Sequence, residues 1–111
     1  MGQKNNKMKE KIKKYLNLIS NQEIKEFCLN KCKFVFSDYL TTPKSLVGWY
    51  VGFVNGKHLI KFYAENPKPK TFFHEVAHAY LNHKPTISEE QHEREEKEAN
   101  NLAFKWLNQN V

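Results

Sequence analysis

The sequence predicts a small α+β domain, and three observations carry that prediction. Apolar residues recur at helical spacing over the first 30 residues and again beyond residue 70. Between these regions, two runs rich in β-branched and aromatic residues flank Asn55-Gly56, the dipeptide that best tolerates positive φ at both positions of a tight hairpin turn. The chain has 111 residues, 40% of them hydrophobic and 14% aromatic. That suffices for a single domain over residues 1–111 with one modest core, and it argues against wholesale disorder.

Met8, Ile12, Tyr15 or Leu16, and Ile19 place residues 6–20 on an amphipathic helix, and residues 1–6 are expected to be disordered. Ser20-Asn21 punctuates that helix. Ile24, Phe27, Cys28 and Leu29 then indicate a second helix ending near Asn30. Residues 33–37 (KFVFS) suit a short strand. The hairpin strands are residues 46–54 and 57–64, and an antiparallel sheet is expected from them. In the second strand His58, Ile60 and Phe62 point to one face, with Leu59, Lys61 and Tyr63 on the other. Pro67 and Pro69 end the sheet and can open the next helix, expected from about Lys70 to Asn82. After a loop with Pro85, Ser88 begins SEEQ, a capping-box pattern in which Gln91 can reach back to the cap. The last helix is expected over about 89–108.

Composition narrows the class further. No apolar run approaches the roughly 20 residues needed to span a bilayer. The lysine-rich start leads into an amphipathic segment, unlike a secretory leader, so the chain reads as cytoplasmic and without a membrane partner. The net charge is +6, with nine Lys against three Glu in residues 1–33 and three basic against six acidic residues in 84–98. The N-terminal lysines are not interleaved with stacking aromatics, which favours a solvated helix face over direct nucleic-acid binding. Cys28 and Cys32 are spaced four apart, as two buried thiols on one face of a helix would be. No second cysteine pair completes a zinc cluster.

The stretch FFHEVAHAYLNH, residues 72–83, carries the chemistry. At about 100° per residue, His74, Glu75 and His78 share one sector of a helix with Thr71 and Asn82, while Phe72, Phe73, Val76, Ala77, Ala79 and Tyr80 fill most of the rest. A wet face would accept any polar residues there. A metal site demands these types in this order: two imidazoles one turn apart bind one Zn²⁺, and the Glu after the first can move a proton on a water beside it. His83 lies about 180° around the helix from His74 and cannot join them while the helix continues. The longer metzincin pattern fails as well, because Leu81 and Lys84 stand where it needs Gly and His.

A catalytic zinc site wants a third protein ligand, and the last helix offers candidates. Its apolar stripe, Ala99, Leu102, Ala103 and Trp106, extends toward His92, Glu95 and Glu96, with Asn100 beside Glu96 and Glu98 nearer solvent. A carboxylate on the buried side of a helix needs a partner, which zinc would supply, and Asn100 could then hold a ligand in place. A solvated acidic face, EREEKE with i to i+4 charge pairs, is the plain alternative.

Taken together, HEVAHAYLNH and, eighteen residues after His78, EKEANNLAFKWL resemble the ImmA/IrrE-type metallopeptidase domain. There an HExxH helix precedes an ExEANxFAxxL-like helix, and LIKFYAENPKPKTFFHEVAH resembles the family's strand leading into the active-site helix. The likeness spans about residues 46–107. It implies a small zincin-like core with one zinc per chain, His74, His78 and Glu96 as ligands, Glu75 as general base, and Asn100 as an orienting group. It also implies an endopeptidase that cleaves a specific protein by zinc-activated water, with substrate pairing along an edge strand that falls on residues 57–64. The oxyanion donor would come from His92, Tyr63 or Tyr80. Members typically act on transcriptional repressors of phages or mobile elements, which makes a DNA-binding protein the expected partner. Two other classes compete. One is a non-catalytic zinc-containing module that sequesters its partner, and the other a basic nucleic-acid-binding domain with a chance HExxH.

Overall fold

The computed structural model describes residues 10–36, 48–64, 66–83 and 88–108. The expected disorder of residues 1–6 and the loop around Pro85 lie outside the described residues. Helix α1 covers residues 10–16 and α2 covers Gln22–Asn30. Strands β1 (Cys32–Phe36), β2 (Gly48–Val54) and β3 (Lys57–Phe62) follow, then α3 (Pro69–Tyr80) and α4 (Glu89–Asn108). The α+β class stands, with helices at both ends of the chain and the hairpin between them.

Local chemistry explains the boundaries. Asn21 accepts from the N–H of Ile24 at 3.2 Å and caps α2. Asn55 and Gly56 take φ of 52° and 83°, the paired positive values of a type I′ turn. Pro69 opens α3 at a position where its missing N–H costs nothing. The N–H of Gln91 donates to Ser88 Oγ at 3.3 Å, as the capping pattern requires, while the Gln91 side chain donates to Glu95 Oε1 at 3.2 Å.

The sheet is mixed. Its order is β1-β3-β2, with β1 parallel to β3 and β2 antiparallel to it. The hairpin therefore inserts β3 between two neighbours, so residues 57–62 form the centre of the sheet. The edge role expected for residues 57–64 is incorrect, because both sides of β3 are already bonded. Among the described strands the outer ones are β1 and β2. The β2 register shifts between Tyr50 and Gly52, leaving Val51 as the extra residue of a bulge beside a glycine with φ 134°.

The core lies where α1, the sheet, α3 and α4 meet. Phe72 of α3 stacks on Tyr15 at 4.2 Å, Phe34 at 5.1 Å and Phe62 at 5.5 Å. Burying each such ring contributes about 1.5–3 kcal/mol. The Tyr15 hydroxyl donates to the Pro67 carbonyl, tying α1 to the entry of α3. On the far side of α3, Phe73 and Tyr80 meet Trp106 edge-on, and Ala99 and Ala103 let α4 approach closely. Among the described residues no helix is long and apolar enough to cross a membrane.

The cysteines are buried and free, but they do not share a helix. Cys28 lies in the last turn of α2 and Cys32 opens β1, because the chain turns at Lys31. Burial pushes the Cys28 thiol well above its ordinary value and the Cys32 thiol up to about 12, the latter opposed by the charge of Lys57. Burial and a raised pKa both disfavour the nucleophilic thiolate at each position.

Candidate metal centre

The polar sector of α3 is not a wet face. Glu75 and His78 are only 8% and 9% exposed, at a depth where an unpartnered charge is costly. His74 Nε2 lies 2.8 Å from Glu96 Oε2, and His78 Nε2 lies 3.1 Å from Glu96 Oε1 and 3.1 Å from His74 Nε2. One donor atom from each of these three residues falls within 4.8 Å of the others.

This geometry fits a metal. Two nitrogens bonded to one tetrahedral Zn²⁺ at ~2.0 Å sit about 3.3 Å apart, close to the spacing seen between the two imidazoles. The three close contacts, each imidazole with Glu96 and the two Nε2 atoms with each other, need three protons, whereas two neutral imidazoles place at most two on Nε2, so hydrogen bonds alone cannot match them all. The His74 and His78 side chains are 16% and 11% exposed, and Glu96 is 37% exposed. Glu96, contributed by α4, is thus the most solvent-exposed member of the cluster, and the two imidazoles of α3 lie deeper.

Of the third-ligand candidates, only Glu96 reaches the histidines. Glu95 accepts from Gln91 along its own helix. His92 is 68% exposed, with Nε2 4.0 Å from Glu96 Oε1. Asn100 is exposed, and among the described residues no hydrogen bond ties it or Tyr63 to the cluster. Tyr80 is exposed and donates to Glu23 at 3.1 Å, which commits its hydroxyl elsewhere. Of the three oxyanion candidates, His92 has an approach to a member of the cluster, Glu96.

Glu75 sits beside the cluster without joining it. Its carboxyl is pushed up to about 7, first by burial and second by the charge of Glu96, against a hydrogen bond from the Tyr50 backbone N–H. His78 is held down to about 4, first by burial and next by His74, opposed by Glu96. Strand β2 forms the lid over Glu75. A Cβ on Gly48 would lie 2.9 Å from Glu75 Cγ and 3.0 Å from Phe62 Cδ1. Gly48→Ala should therefore cost about 1–2 kcal/mol in chemical denaturation, the lower part of the overpacking range because Glu75 can shift. An unchanged midpoint would contradict this packing.

Sequence reasoning missed the surroundings of His83. The helix expected to reach Asn82 ends at Tyr80. Asn82 takes φ 56°, a left-handed conformation that Asn tolerates. Asn82 N–H then donates to Ala79 O, and His83 N–H to His78 O, the paired bonds of a Schellman ending. His83 is thereby folded back over His78, with the two Nδ1 atoms 2.9 Å apart. The signal was present in Asn82, the residue most able to stop a helix where no glycine stands.

No family model, curated protein or solved structure matches this chain.

Proposed function

We propose that this chain is a zinc-dependent endopeptidase acting on a specific protein. The observation that carries the reading is the convergence of His74, His78 and Glu96 from two helices on one point, with the buried carboxyl of Glu75 beside it. HExxH order on α3 and the EKEAN stretch on α4 support membership of the ImmA/IrrE-type domain, and with it a DNA-binding repressor as the substrate.

Bound by these three residues, Zn²⁺ would supply a Lewis acid that lowers the pKa of water and polarises a carbonyl. The chain's own residues do the rest. Glu75, with a carboxyl near 7, is suited to accept a proton from the attacking water at neutral pH and pass it to the leaving amine. The β2 backbone beside Glu75 receives an extended substrate segment by strand addition, taking the role expected of residues 57–64. Trp49 and Phe53, 45% and 62% exposed on that strand, offer apolar contacts to its side chains.

The test is hydrolysis of a mixed-sequence quenched-fluorescent peptide library by the zinc-loaded chain. Cleavage should vanish on chelation and return with zinc. A chain that holds one zinc and cleaves nothing would contradict the hydrolase reading and leave the sequestering module in its place.

A further inference from the structure

The two candidate ligand imidazoles differ in what their outer nitrogens touch. His74 Nδ1 is buried with no hydrogen-bond partner among the described residues. His78 Nδ1 faces His83 Nδ1 at 2.9 Å. The far nitrogen of His83, Nε2, lies 3.7 Å from Glu98 Oε1, and the His83 side chain is 12% exposed. A line of polar atoms therefore runs from Glu98 on α4 through His83 to the back of His78 on α3.

We propose that His83 is the positioning residue of the metal centre, fixing the ring and tautomer of His78; this rests on the zinc reading above. A neutral imidazole carries one N–H. A metal takes the lone pair of His78 Nε2, which leaves the proton on Nδ1. That N–H needs an acceptor, and a ligand His generally finds one in a group behind it. His83 Nδ1 is the atom within reach. Accepting there places the proton of His83 on Nε2, on the side facing the Glu98 carboxylate. Glu98 thus favours the tautomer of His83 that in turn favours the ligating tautomer of His78. Among the described residues His74 has no such support, and His83 is the group behind the imidazole pair that supplies it.

The local fold supplies this contact at a defined place. The bond from His83 N–H to His78 O holds the two residues together through the backbone, so the imidazole contact does not depend on a long flexible side chain. Asn82 in its left-handed conformation makes that return possible.

The test compares wild type with His83→Leu and His83→Asn. Leu has no acceptor, whereas Asn Oδ1 occupies nearly the position of His Nδ1. Zinc affinity, measured by competition with a chromophoric chelator, should fall about 10- to 100-fold in His83→Leu and largely recover in His83→Asn. In the zinc-loaded protein, the slowly exchanging Nδ1–H proton of His78 should be visible by NMR in wild type and His83→Asn and lost in His83→Leu. Equal affinity in wild type and His83→Leu would overturn the proposal, as would a His83→Asn protein as weak as His83→Leu. If His83→Leu also lowers the stability of the metal-free chain, the Asn variant decides. Failure of the zinc reading looks different, because wild type itself would then bind no zinc.

Discussion

Glu75→Gln should keep one zinc per chain and lose peptide cleavage by about 10²–10⁴-fold, the usual contribution of a positioned general base. The amide has the shape of the carboxyl and can still accept from the Tyr50 N–H that holds Glu75, so the lid formed by β2 is retained. It cannot accept a proton from water at neutral pH. None of the three metal-facing atoms belongs to Glu75, so metal content should stay at the wild-type level. Cleavage that survives at the wild-type rate in the Gln variant would remove Glu75 from the mechanism. A variant that loses both zinc and cleavage would show that Glu75 supports the metal instead.

The same substitution should stabilise the metal-free chain, and only at high pH. Folding raises the Glu75 carboxyl from 4.5 to about 7, so its contribution is complete below about pH 4.5 and is lost as pH rises through 7. Folding lowers His78 from 6.5 to about 4, so its contribution is complete above about pH 6.5 and is lost as pH falls through 4. Between about pH 4.5 and 6.5 these two slopes oppose each other, and their sum is nearly level in the wild type. The amide of the Gln variant cannot ionise, so the Glu75 slope disappears. At about 1.4 kcal/mol per unit, metal-free Glu75→Gln should exceed wild type by roughly 3 kcal/mol at pH 8 and by nothing at pH 4. Urea denaturation across this range reads the difference. A gap of equal size at every pH would show that Glu75 is not buried as an ionising group.

Much of this arrangement was legible in the sequence, because its signals are local. Asn55-Gly56 announced the hairpin, Pro69 the start of α3, and Ser88 the start of α4. His74, Glu75, His78 and Glu96 were singled out by helical spacing and a family resemblance, and folding brings them together. Relations between distant segments were not legible. Strand β1 joins β3 in parallel, a pairing that no periodicity within either strand records, and it moves β3 from edge to centre. Cys32 left the helix because the chain turns at Lys31. Asn100 proved exposed, since its position on α4 lies beyond the stripe that meets α3. His83 was excluded by extending a helix through Asn82, when one left-handed residue returned it to the site.

The most direct measurement is the zinc content of the purified protein against His78→Ala and Glu96→Ala. Wild type should carry one zinc per chain, and each variant should lose it. Zinc retained by Glu96→Ala would contradict the centre described here, because it would place the third ligand outside the cluster that α3 and α4 build.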